Sequence, residues 1–410
     1  MDLSYASDWL NLAFRWMHII FGAAWIGASF YFNWLNNSLR PPETPELEEK
    51  GVDSTLWAVH GGHFYKVSKF AVAPEALPKT LHWFKWEAYL TWLSGIGLLM
   101  IVYWFQSSAF MVDTSVADVA PWVPVAVGAG GLVVGWLVYH GLSSSPLARA
   151  PVPFALVTFA LLTAVAFGFS QVMSPRAAYI HVGALLGTCM AWNVFFVIIP
   201  NQRAMVEAMS VREEPDAAAG YAAAQRSLHN NYMTLPVLFI MVSNHFPMTY
   251  GHSFNWAILA ALSAIGAGVR HYFNLKGRGQ NKVYILPVAA AAMVALAFVT
   301  SPTFSASDDD AVGPVSFAEV RLIINQRCLP CHSATPTHEL YKEAPAGAMV
   351  DTPEQIIARL AKINSMAVQS RTMPLGNLTG MTDEERKKLG RWIQDGAPLD
   401  GAGPTPVASP

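Results

Sequence analysis

Charge is what this 410-residue sequence has least of. Asp, Glu, Lys and Arg make up 13% of it, against about 25% in an ordinary soluble domain. The few charges nearly cancel, with 26 Lys and Arg against 28 Asp and Glu and a net of −2. Without a basic surplus the chain is no nucleic-acid partner, and without an acidic one it is no self-repelling disordered chain. Cysteine is scarce as well: three residues, unevenly placed, cannot build a disulfide framework. Apolar residues fill the space instead. They amount to 53%, and 14 Trp accompany them, which suits a protein with aromatic belts at two membrane interfaces.

The scarcity is uneven. Residues 1–300 hold 16 Lys and Arg and 15 Asp and Glu, whereas residues 301–410 hold 10 and 13. The expected organisation is a membrane domain over 1–300, a Ser/Asp/Pro/Gly linker over 301–315 and a soluble domain over 316–400. A tail follows over 401–410. The soluble part is large enough to bury its own core.

Eight stretches reach the roughly 20 residues that a helix needs to cross hydrocarbon: 9–35, 82–105, 121–141, 152–172, 177–200, 219–245, 252–273 and 283–300. The first is no cleavable signal peptide, because Asp2 and Asp8 precede it without a basic residue. The loops after the first, third, fifth and seventh stretches carry eleven Lys and Arg, and the opposite loops only Arg176. The positive-inside rule makes the first set cytoplasmic. The expected location is then a bacterial inner membrane, crossed several times, with the N-terminus and the C-terminal domain in the periplasm. The 46-residue loop 36–81 is too long for a mere connector. Its segment LWAVHGGHFYKVSKFAV alternates as a short strand pair would.

Residues 328–332 read Cys-Leu-Pro-Cys-His, the c-type haem attachment motif. Cys328 and Cys331 would form thioethers to the haem, and His332 would ligate the iron. A zinc site would want a second Cys pair, and a redox pair would want a βαβ setting. Ser316 to Glu319 and Thr382 to Glu385 read as capping boxes, and Thr352-Pro353-Glu354 as a third helix start. Three short helices around a haem match a small class I cytochrome c. Met373, in RTMPLGN, is the expected sixth ligand, with Met349, Met366 and Met381 as rivals; methionine ligation raises the potential and suits an electron acceptor.

Ionisable residues inside spans are costly, so each is a candidate site. In the outer half, His18 and His181 lie at similar depth and could ligate a haem b, or each could bond to a neighbouring helix. In the inner half, the run Arg226-Ser-Leu-His229-Asn230-Asn231 concentrates planar hydrogen-bonding side chains that suit a planar anionic substrate. His82, Lys85 and His140 read better as interfacial residues, and Cys189 as a small apolar filler.

The segments FRWMHIIFGAAWIGASFYFNWLN, WAVHGGHFYKVSKF, HWFKWEAYLTWLSG and SLHNNYMTLPVLFIMVSNH together resemble the bacterial integral-membrane urate oxidases, also called urate hydroxylases. The resemblance implies an all-α fold: an eight-helix transmembrane bundle followed by a small class I cytochrome c domain. It implies oxidation of urate to 5-hydroxyisourate, with electrons passing to a covalent haem c and on to a respiratory-chain acceptor, a terminal oxidase or a soluble cytochrome c. Membrane lipid is the other expected partner, and haem b an open addition. The site residues rest on depth and chemistry: Arg226 to hold the anion, His229 or Glu87 as base, Asn230 and Asn231 as hydrogen-bonding partners. A single haem c takes one electron at a time, which keeps the His18/His181 haem in consideration. Competing readings are a haem-b membrane oxidoreductase of protoporphyrinogen or quinol, and a membrane-anchored electron carrier.

Overall fold

The computed structural model describes residues 3–70, 72–74, 76–301 and 313–399. The chain is mostly helical, and a helix stands at each of the eight apolar stretches. These are α1 (Leu3–Ser38), α2 (Trp86–Trp104), α3 (Trp122–Ser144), α4 (Pro151–Ser170) and α5 (Pro175–Ser210), then α6 (Ala217–Ser243), α7 (Asn255–Gly277) and α8 (Ile285–Val299). Among the described residues four of them, α2 to α5, are both long and apolar enough to cross a bilayer. Helix α8 is apolar but has 15 residues. Helices α1, α6 and α7 are long enough but carry Arg15, Arg226 and Arg270 with their polar neighbours.

Helix α5 runs to Ser210, well past the expected end near 200, so much of the expected loop 201–218 is helical. The sequence Arg-Ala-Met-Val-Glu-Ala-Met at 203–209 consists largely of strong helix formers. Pro200 interrupts the hydrogen-bond ladder without ending the helix, because the turn just before it, Val194–Ile198, widens to π geometry.

Helix α5 is also the innermost. Of its most apolar stretch 61% is buried, against 17–28% in α2, α3 and α4. Its residues Tyr179, Val182, Leu185 and Leu186 share one core with Leu132, Trp136, Phe154, Phe169, Ile240 and Leu259 from α3, α4, α6 and α7. The outward residues of α3 and α4, such as Val134, Leu137, Val152 and Leu156, are apolar and more than half exposed. An apolar outer belt of this kind is compatible with insertion in a membrane.

The expected strand pair is present. Strand β1 (Val52–His60) pairs antiparallel with β2 (His63–Phe70) through a two-residue Gly61–Gly62 turn, and both glycines have positive φ.

After the expected linker, whose residues 302–312 lie outside the described residues, the chain builds a second core from Val320, Ile324, Ile356, Leu389 and Trp392. Three helices supply it: α9 (Phe317–Arg327), α10 (Pro353–Ala358) and α11 (Asp383–Gln394). Each opens on a capping box, at Ser316/Glu319, Thr352/Gln355 and Thr382/Glu385. The tail 401–410 lies outside the described residues.

This second body rests on the helical one. The turn at Gly376 lies against the Val112 carbonyl, and Gly251 lies against Ser370. A Cβ at Gly251 would clash with the Ser370 carbonyl oxygen. Gly251→Val is therefore expected to lift the C-terminal body off its seat while leaving its own core intact. Limited proteolysis of the full-length protein would show this as faster cleavage near residues 301–315, with an unchanged C-terminal fragment.

Candidate functional site

Two places in the molecule gather chemistry. The first is a cleft in the C-terminal body. Arg327, Cys328, Cys331, His332, Tyr341, Met373, Pro374 and Leu375 are among its lining residues. Helix α9 ends at Cys328, and the chain turns tightly so that the His332 amide donates to the Cys328 carbonyl at 2.8 Å. This turn brings both thiols and the imidazole to one wall.

The His332 Nδ1–H donates to the Ala348 carbonyl at 2.8 Å. That bond fixes the tautomer and leaves the Nε2 lone pair for a metal, as a carbonyl partner does for metal-ligating histidines. Burial pushes the Cys328 thiol up to about 12, helped by the neighbouring Cys331 sulfur, and burial also raises Cys331. A redox Cys pair shows the opposite, a lowered value. Among the described residues no group of three or more His, Cys, Asp and Glu could hold a metal ion by itself. The donor set fits a haem: two thiols, one imidazole and, on the same cleft, Met373. Of the rival methionines, Met381 is buried in the core, and neither Met349 nor Met366 lines the cleft.

The Met373 loop is held by the buried Arg386, which donates to the Met373 carbonyl at 2.6 Å and to the Ala367 carbonyl. Arg327 grips Glu385 with Nε at 3.0 and 3.1 Å from the two carboxylate oxygens. Burial alone would raise the Glu385 carboxyl, but the hydrogen bonds and charge of Arg327 outweigh it and hold it below the usual range.

The second place lies inside the helical domain where α3, α5 and α6 meet. Arg226 is buried there, and its guanidinium donates to Asn193 Oδ1 and the His140 carbonyl at 3.3 Å and to Ser144 Oγ at 3.1 Å. Asn193 Nδ2 donates to the Tyr139 oxygen and to Asn230 Oδ1, both at 2.9 Å. Asn230 Nδ2 donates to the Met190 carbonyl. His229 Nδ1 is 2.9 Å from the Tyr139 hydroxyl, and its ring stacks on Phe154 at 4.7 Å between centroids. Trp136 Nε1 and His140 Nδ1 are buried without a hydrogen-bond partner among the described residues, and the two rings stack at 4.8 Å.

The structure thus brings Arg226, His229 and Asn230 together but places Asn231 on another face of α6, with Arg270 and Asn274. Glu87 opens α2, and its carboxylate makes no hydrogen bond with the Arg226 network. His140, which the sequence suggests as interfacial, joins that network through its carbonyl and its stacked ring. Asn193, Tyr139 and Trp136 were not singled out from the sequence. A lone Asn in the apolar run AWNVFFVII, and the helical spacing of Trp136, Tyr139 and His140, are the signals that could have found them.

His18 and His181 are separately engaged. The fully buried His181 donates from Nδ1 to its own helix at Ala177 and accepts the Trp104 indole N–H on Nε2 at 3.1 Å. A Cβ on Gly128 would clash with its ring. His18 Nδ1 lies 2.9 Å from the Thr91 carbonyl. With both nitrogens of His181 occupied, the pair as placed does not fit axial ligation of a haem b.

Residues 4–301 match the model of a family described as urate oxidase N-terminal. No curated protein and no solved structure matches the chain. The family match spans the whole helical domain, including the Arg226 network, and ends before the Cys328–His332 motif. Covering well over half of the 410 residues, it places this chain in the urate oxidase N-terminal family, as a protein related to enzymes that oxidise urate.

Proposed function

We propose that the chain is a membrane-embedded oxidase of urate. In this reading all eight helices span a bacterial inner membrane, with the C-terminal body and the N-terminus on the periplasmic side. Urate enters the inner half of the bundle and leaves as 5-hydroxyisourate. The reaction balances as urate plus water giving 5-hydroxyisourate, two protons and two electrons. The observation that carries the reading is the buried Arg226, which has only neutral partners, beside a stacked Trp136–His140 pair whose inward nitrogens are unpaired. Buried charges are normally paired, and a planar anion with carbonyl and N–H edges complements this set.

In the proposed pose Arg226 holds the anionic edge of urate, and Trp136 donates to a ring carbonyl. With the His229 proton on Nδ1, donated to the Tyr139 oxygen, Nε2 is the basic atom. Asn193 and Phe154 hold Tyr139 and the His229 ring in place. His229 then takes a proton from urate, or from the water that adds to the electron-depleted ring carbon. Glu87 is the alternative base at the same end of the domain.

Cys328 and Cys331 would hold a haem c covalently, and His332 and Met373 would ligate its iron. That haem, when bound, supplies one-electron acceptor chemistry, with a terminal oxidase or a soluble cytochrome c beyond it.

Membranes from expressing cells, given urate without oxygen, are expected to show reduction of the haem c absorption band. Reduction by quinol or protoporphyrinogen instead would replace the substrate, and no reduction by any of them would leave a membrane-anchored carrier. Arg226→Gln is expected to slow urate-driven reduction about 10–100-fold, the worth of one charge-assisted hydrogen bond, while dithionite still reduces the haem fully. Met373→His is expected to lower the midpoint potential in a redox titration and keep the covalent haem.

A further inference from the structure

The second buried guanidinium of the helical domain, Arg270, sits in a cluster the oxidation does not use. Arg270 donates from Nε to Asn231 Oδ1 at 2.8 Å and from Nη2 to Asn274 Oδ1 at 3.2 Å, and Asn274 Nδ2 donates to Asn231 Oδ1 at 3.0 Å. Asn231 is fully buried, and Asn274 and Arg270 nearly so.

The chemistry of the donors fixes both amides. An arginine can only donate, so the Asn231 atom facing it must be the oxygen, and the same holds for Asn274. What remains unpaired is therefore all donor: Asn231 Nδ2, buried with no partner, and Arg270 Nη1, which has no hydrogen bond among the described residues. No carboxylate is within reach on these helices, because the sequence from Ala217 to Ser307 contains no Asp or Glu. The Phe30 ring covers one face of the guanidinium, 4.5 Å from its carbon. The unpaired Nη1 N–H bonds lie in the guanidinium plane, so an oxygen that accepts from them sits at that edge. The site lies about 10 Å inside the C-terminal end of α7, an end that carries Lys276 and Arg278 and so attracts anions.

We propose that Arg270 and Asn231 form a second anion-binding site, distinct from the Arg226 network, that takes a small planar anion in the plane of the guanidinium. Arg270 Nη1 and Asn231 Nδ2 donate to separate oxygens of the anion. Two sources share the charge, a soluble planar anion such as urate and the phosphate of an anionic lipid headgroup, and the planar approach favours the first.

The test uses full-length protein carrying Arg226→Gln, so that the first site is silent, and reads thermal unfolding in neutral detergent. Urate is expected to raise the midpoint saturably by about 2–4 °C, and inorganic phosphate to do less. Adding Arg270→Gln abolishes the shift. Adding Asn231→Asp abolishes it too and raises the midpoint without ligand, because the new carboxylate pairs with Arg270 internally; this variant keeps the test valid if Arg270→Gln folds poorly. No response to urate, phosphate or phosphatidylglycerol in the Arg226→Gln protein, or a response that survives Asn231→Asp, overturns the site. Phosphatidylglycerol nanodiscs that shift the midpoint, where urate and phosphate do not, would retain an anion site at Arg270 and overturn its planar ligand. Failure of urate to reduce the haem in the wild type would sink the oxidase reading and leave this binding result standing.

Discussion

A guanidinium inside an apolar helical domain, without a carboxylate to meet it, is the constraint on which the interior is organised. Charges of this kind are expensive to bury. The chain meets the cost with carbonyls, hydroxyls and amides drawn from several helices at once. Arg226 takes partners from α3 and α5, and Arg270 takes them from α6 and its own helix. The most enclosed helix, α5, therefore carries Asn193 in the middle of an apolar run, where it links Arg226, Tyr139 and Asn230. Neutral partners satisfy the hydrogen bonds but leave the positive charge standing.

The two ends of the molecule solve different problems with the same economy of polar groups. In the C-terminal body the polar work is structural. Three capping boxes start three short helices, Arg386 holds the Met373 loop, and Arg327 joins α9 to α11 through Glu385. The cleft itself is lined mostly by apolar groups, with three sulfur-bearing residues, one imidazole and Arg327 among them. In the helical domain buried polar groups sit among apolar core residues, and the outward residues of α3 and α4 are apolar as well. The contact of Gly251 with Ser370, and of the Gly376 turn with Val112, brings the Met373 loop down onto the helical domain, so the two bodies are held together by backbone as well as by the chain between them.

Much of this was legible in the sequence because it is local. Apolar runs mark helices whatever surrounds them, a Ser or Thr three residues before Glu or Gln marks a helix start, and the spacing Cys-x-x-Cys-His places its three donors within one turn. The Gly-Gly pair between alternating residues gave the hairpin for the same reason. The end of α5 was not legible, since the run after Pro200 could end or continue the helix, and a π-turn decides it. Neither was the division of Asn230 from Asn231. Adjacent residues on a helix point about 100° apart, and which neighbour each meets depends on helix packing.

The sequence by itself thus determined composition, helix positions, the Cys-Leu-Pro-Cys-His spacing and the identity of the scarce buried charges, all of which follow from spacing along one chain. Only the tertiary structure decided that Arg226 is met by Asn193 from a helix 33 residues earlier, that both His181 nitrogens are taken, and that Arg270 and Asn231 leave only donors unpaired. Hydrogen-bond partners inside a bundle come from other helices, and no periodicity within one helix records which helix packs beside it.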